Sequence, residues 1–332
     1  MASEVKEKEL NTIKESSHKK RSKNKKPSKG KRSLLTPILF LVMLLGLAIL
    51  AYPTFSDYWN SFHQTRAIMS YMEEVSSMDT AVYDEWLRSA REYNQHITDN
   101  GPNWMPTEED TEKYNEELAY NASGNMGYII IDKLNTMLSL YHGTCEAVLQ
   151  TGIGHVEGSS LPVGSSSWDS REGKVMDPNE GVHIVLSGHR GLPSAKLFSD
   201  LDKLVEGDIF VLNILNETLT FQVDQIRVVE PTDLSTLRIF KGKDYCTLVT
   251  CTPYGINTHR LLVRGHRVAN AQGDVKVVAD ALQIRPVYIV PFIGVPVILL
   301  LIILMLIDTS LISKQKRRIA ELQATIKGEK EN

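Results

Sequence analysis

The chain has 332 residues and a formal net charge of −3, from 37 Lys and Arg against 40 Asp and Glu, and it carries three cysteines. Two long apolar runs take much of the hydrophobic share, basic residues crowd outside them, and the stretch between them is acidic. An acidic main segment excludes a nucleic-acid footprint, and an odd cysteine count excludes a closed disulfide framework and points to a free thiol.

Residues 1–33 form a basic tail, with Lys19, Lys20, Arg21, Lys23, Lys25, Lys26, Lys29, Lys31 and Arg32. The first apolar run, 34–52, has no charge and is long enough to cross a bilayer as a helix. The second, 287–307, is also uncharged, and Lys314, Lys316, Arg317 and Arg318 follow it in a second basic tail, 308–332. Runs this uniformly apolar on all faces read as spanning helices rather than core helices. Positive charge on the far side of each places both termini in the cytoplasm and the intervening segment outside the cell. A cleaved signal peptide is the alternative for the first run. Ile49 before Ala51 departs from the small-residue pattern such a site needs, so an uncleaved anchor is the preferred reading.

After the first run, 53–125 reads as a helical lead-in. Ala67, Tyr71, Met72 and Val75 recur at helical spacing, as do Trp86, Leu87 and Ala90. Thr107 followed by Glu108, Glu109 and Asp110 predicts a capped helix start. From 126 to 270 the texture changes to short strands and turns. Strands are expected at 127–131, 138–141, 183–187, 208–212, 218–229, 246–251 and 260–268, with a hairpin turn at Asn216-Glu217. Many short strands with few helices between them predict a mainly β barrel or sandwich. The polar, turn-rich 164–181 reads as a long surface loop, and 271–286 as a linker.

Three features carry chemistry. The run TLVTC, 247–251, is a strand ending on Cys251. The stretch TPYGINTHR, 252–260, turns the chain and delivers Arg260. Upstream, SGHRG, 187–191, places His189 after a strand between two glycines. A thiolate is a nucleophile, and nearby positive charge favours it. A histidine can pass a proton to a leaving amine, and an arginine can stabilise an oxyanion. Each residue also has a structural reading: a strand cysteine as a small buried hydrophobe, the histidine as a turn residue, the arginine as a surface charge. Spacing alone does not select His189 over His155, His183 or His259. Cys246 and Cys251 lie an odd number of residues apart on one strand, so they face opposite ways. No His/Cys cluster has metal-ligand spacing, there is no phosphate or dinucleotide loop, and no cofactor is expected.

At these residues the chain resembles the sortases, and most of all the class C, pilus-polymerising group. The matching stretches are 186–204 (LSGHRGLPSAKLFSDLDKL), 229–234 (VEPTDL), 247–268 (TLVTCTPYGINTHRLLVRGHRV) and 143–164 (GTCEAVLQTGIGHVEGSSLPVG). The resemblance implies an eight-stranded β-barrel behind a helical lead-in and between two transmembrane helices. It implies that Cys251 is the nucleophile, His189 the acid/base and Arg260 the electrostatic partner. The reaction would cleave an LPxTG-like sorting signal and pass the acyl group to a pilin lysine amine, at the surface of a Gram-positive cell and beside its lipid bilayer. Class C enzymes often carry a lid with an Asp-Pro-aromatic motif. Here the corresponding stretch is Asn103-Trp104-Met105-Pro106, so Trp104 could plug the groove but the aspartate is missing, with Asp99 a weak substitute. A cell-wall-anchoring sortase, a hydrolytic cysteine protease and a non-catalytic membrane scaffold are the competing readings. A thiol–disulfide oxidoreductase is disfavoured by the lack of a Cys-x-x-Cys.

Overall fold

In a computed structural model, the described residues are 35–120, 123–270, 299, 302–303, 310 and 313–326. The tail 1–33, the linker 271–286 and most of the second apolar run lie outside them, whereas 313–326 is helical. The chain divides into two compact units, Met1–Leu50 and Ala51–Asn332.

The lead-in holds three helices: α1 (Leu35–Ser77), α2 (Thr80–Asn100) and α3 (Glu108–Glu116). No break separates the apolar run, which ends at Tyr52, from the lead-in. One helix runs through, with Pro53 inside it, and no glycine follows to stop it. From Phe40 it contains a window apolar and long enough to cross a membrane, and no residue of that window is buried. Farther along, α1 docks on the barrel: Ile68 and Tyr71 are buried, Gln64 accepts from the Ser139 amide at 2.9 Å, and the Tyr71 hydroxyl accepts from Leu215 N at 2.6 Å. Asp79 caps α2. The capping box expected at Thr107 is present, with Asp110 as its reciprocal partner.

Ten strands follow: β1 (Asn125–Ile131), β2 (Thr136–His142), β3 (Ile153–His155), β4 (Trp168–Asp169), β5 (Lys174–Val175), β6 (Val182–Ser187), β7 (Ile209–Ile214), β8 (Glu217–Val229), β9 (Asp244–Thr252) and β10 (His259–Val268). Eight close a barrel in the order β1-β2-β3-β6-β9-β10-β8-β7. The core inside it includes Ile129, Leu140, Ile184, Leu186, Phe210, Phe221, Leu248 and Val263, with Phe210 and Phe221 stacked at 5.4 Å. Full closure removes the exposed sheet edges that an open sheet would have to protect.

All seven expected barrel strands are present, within a few residues at their ends. Additional elements include β3, too short for a strand pattern to show, and α4 (Glu146–Thr151) before it. The surface loop expected at 164–181 carries the small β4–β5 sheet. Its start is fixed by Asp244, whose carboxylate accepts from Ser165 and from Arg267 Nη1 at 3.0 Å. Trp168 lies under the Arg267 guanidinium at 4.5 Å.

Candidate active site

The outer face of β6, β9 and β10 builds the site. Strands β6 and β9 run parallel, with Ser187 opposite Val249. The same offset continues past the strand ends. Gly188 N donates to Val249 O at 3.1 Å, and Thr250 Oγ1 donates to Gly188 O at 2.8 Å. Arg190 Nη1 donates to Thr252 Oγ1 at 3.2 Å. His189 and Cys251 therefore sit level with each other, bracketed on both sides by hydrogen bonds between their neighbours. Gly188 must be glycine here: a Cβ would fall 2.6 Å from the Phe198 ring.

Alternation sets which way each cysteine faces. Cys246 is fully buried in the barrel core, and burial pushes its thiol well above the ordinary range. Cys251 lies on the opposite, outer face and is half-buried. Cys145 is exposed at the N-cap of α4, and all three are free thiols. The separation of Cys246 from Cys251 is as expected from their odd spacing.

In the antiparallel β9–β10 pair, Arg260 is directly opposite Cys251, so the two side chains share a face. In this state the guanidinium bonds its own turn. Nη1 donates to Asn257 O at 3.3 Å and to His259 O at 3.1 Å. Both bonds use Nη1, and an arginine has further donors in Nη2 and Nε.

The histidines that spacing could not separate are separated by their surroundings. His155 is buried between the Tyr114 hydroxyl, Ser159 Oγ and Ser160 O. His183 is held by Arg238 O at 2.8 Å and Thr247 Oγ1 at 2.7 Å. Burial lowers each of these imidazoles to about 4. His259 is exposed and bonded to Thr258. His189 differs: its Nε2 is buried yet makes no hydrogen bond, and the Glu146 carboxylate lies 3.4 Å away.

Below Cys251 the outer face is apolar. Val185, Leu237 and Leu262 form a cluster there, with Val249 and Trp104 packed against it. Trp104 is thus on the same face as Cys251, two positions along the strand at Val249. Its loop is pinned by Asn103 N donating to Gly158 O at 3.0 Å. A Cβ on Gly158, which has a φ of +83°, would strike Asn103 O. Asp99 does not reach the site; it pairs with Lys241 at 3.5 Å.

Two residues were not legible as site residues. Arg190 joins both halves, bonding Thr252, pairing with Asp202 and lying 5.9 Å from the Tyr254 ring. In the sequence only its place beside His189 in the SGHRG run marked it. Glu146 had no signal at all, because the helix that carries it was unseen.

Comparison with known proteins places this geometry. The Sortase domain model matches residues 129–268. A crystal structure of sortase C1 from Streptococcus agalactiae is 56% identical, with a TM-score of 0.57, covering 62% of this chain and 100% of that one. The Streptococcus pneumoniae sortase C structure, whose description concerns catalysis and pilin substrate specificity, is 39% identical, with a TM-score of 0.51, covering 62% of this chain and 97% of that one. Sortase D of Bacillus subtilis is 28% identical over 145 residues, 43% of this chain; the chain spans 63% of the length of that curated relative.

Proposed function

Since the chain belongs to the sortase family of cysteine transpeptidases, on its class C side, we propose that it cuts LPxTG-like sorting signals and joins them to a pilin lysine. The observation that carries the site assignment is the shared register of 187–190 with 249–252, which sets His189 level with Cys251. The Cys251 thiolate attacks the threonine carbonyl carbon of the signal. The Thr–Gly bond breaks, and the departing amine takes a proton from His189, leaving a thioester. The lysine amine then attacks the thioester and gives a proton to His189; the amide forms and the thiolate leaves. Arg260, on the face of Cys251, stabilises the oxyanion in both steps. It turns Nη2 or Nε to that oxygen, or gives up its bonds to the turn carbonyls.

In this reading 126–270 is the catalytic barrel, 53–125 its lead-in, and the apolar 34–52 and 287–307 are two membrane anchors. The barrel then faces outward and both tails, 1–33 and 308–332, lie in the cytoplasm. The exposed apolar portion of α1 supports the first anchor. The test is to incubate the full chain with an LPxTG peptide and a pilin domain and identify products by mass spectrometry. An isopeptide-linked product supports transpeptidation to lysine. A free threonine acid as the sole product would make the enzyme a hydrolase.

Trp104 fills the apolar groove that a signal peptide would use, so it acts as a partial lid despite the missing aspartate. Burying part of such a ring stabilises closure by about 1.4 kcal/mol. Trp104→Ala is therefore expected to speed acylation roughly tenfold at low peptide concentration, measured by trapping the acyl-enzyme. Slower acylation would instead make Trp104 a wall of the substrate site.

Arg190 holds the histidine loop to the residue after the nucleophile. Arg190→Met is expected to lower turnover about tenfold with little change in KM, because it loosens geometry rather than binding. Steady-state kinetics check this, with circular dichroism to confirm the fold.

A further inference from the structure

Glu146 opens α4, which leads into β3 beside the site. One carboxylate oxygen, Oε1, is held by Gln150 Nε2 at 2.7 Å, one turn along the helix. That contact fixes the direction of the other, Oε2, which lies 3.4 Å from His189 Nε2. The imidazole nitrogen is buried and has no hydrogen-bond partner. A buried polar atom without a partner costs free energy unless something completes it, and here a carboxylate stands at the distance from which a small rotation makes the bond. The Gln150 contact, and after it the imidazole, hold the Glu146 carboxyl below the usual carboxylate range.

We propose that Glu146 is a positioning residue for His189, one that keeps the imidazole in the tautomer with the proton on Nε2 and leaves Nδ1 to exchange protons in the reaction. The inference rests on the acid/base reading of His189. A carboxylate can only accept, so the nitrogen facing it must carry the proton. When His189 holds a second proton during acyl transfer, the carboxylate still accepts from Nε2, so the orientation of the ring is kept. The Glu146 side chain is 69% exposed, so solvent screens the effect and its size is moderate.

The test uses the full chain with Glu146→Gln, an LPxTG peptide, and hydroxylamine as a small neutral acceptor. Glutamine keeps the size and removes the charge. The expected result is a kcat about tenfold lower with KM for peptide unchanged. In 15N spectra of the imidazoles, the His189 signals, assigned by their loss in His189→Gln, should change from one tautomer to a mixture. An unchanged kcat or an unchanged tautomer overturns the proposal. A normal kcat with a raised KM for a lysine acceptor alone also overturns it, and makes Glu146 an acceptor-recruiting residue. Cys251→Ala run alongside separates the two readings. If that variant still forms an acyl-enzyme, the catalytic assignment fails; if it does not and Glu146→Gln behaves as wild type, only the role of Glu146 fails.

Discussion

Cys251→Ala is expected to abolish the acyl-enzyme and to cut transpeptidation by roughly four orders of magnitude or more, the scale seen when a covalent nucleophile is removed. The barrel should remain folded. Cys251 is half-buried at a strand end, and its backbone bonds to β10 do not depend on the thiol. The other two cysteines are the controls. Cys246→Ala removes a sulfur from the closed core, so it should cost stability of about 1 kcal/mol and leave the chemistry intact. Cys145→Ser changes an exposed N-cap residue and should leave activity near wild type. Mass spectrometry of peptide-trapped enzyme reads all three variants at once. An adduct that survives in Cys251→Ala and disappears in Cys145→Ser would move the nucleophile to α4. His189→Ala, by removing the proton donor to the leaving amine, should cost about a thousandfold. Arg260→Lys keeps the charge and loses the planar fork, so its loss should be smaller than that of Arg260→Ala.

What could be read from the sequence follows from range along the chain. Seven of the barrel strands are long enough to be visible as short β-type runs between turns. The β3 strand has three residues, too few for any period, and α4 has six. Cys251 and Arg260 are close in sequence and on adjacent strands of a hairpin, so their pairing is implicit in the turn between them. His189 is different. It is set level with Cys251 through a parallel pairing of β6 with β9, across a long crossover that no local pattern encodes. The resemblance to a family selected it where spacing could not. In the structure the ring nitrogens of His155 and His183 are hydrogen-bonded, whereas His189 Nε2 is not. The continuation of α1 through Pro53 is likewise not written in the local sequence. A proline reads locally as a boundary, whereas the helix is held beyond it by contacts with the distant residues Ser139 and Leu215.

The same two occupied histidines predict a stability loss in mild acid. Unfolded histidine titrates near 6.5, whereas His155 and His183 are lowered to about 4 in the fold. For His155 the dominant cause is burial, opposed by its bond to Ser160 O and reinforced by His142. For His183 it is also burial, opposed by the Arg238 carbonyl, with Arg264 nearby disfavouring the cation. Between pH 6.5 and about 4 the unfolded chain therefore binds protons at these positions that the folded chain does not. Stability is fully present above that window and falls as pH drops through it, by about 3 kcal/mol for each histidine. The exposed carboxylates held low, such as Asp110 and Asp169, act at lower pH, because their unfolded forms titrate near 4. Melting of the full chain in detergent, followed by tryptophan fluorescence from pH 7 to 4, should show a steep drop in Tm before the carboxylates protonate. His183→Gln lowers the melting point at pH 7 through the lost bond to Arg238 O or Thr247, and should flatten the slope between pH 6.5 and 4. A slope that His183→Gln leaves unchanged would mean that this imidazole takes up its proton inside the folded barrel, and the acid response would then belong to other groups.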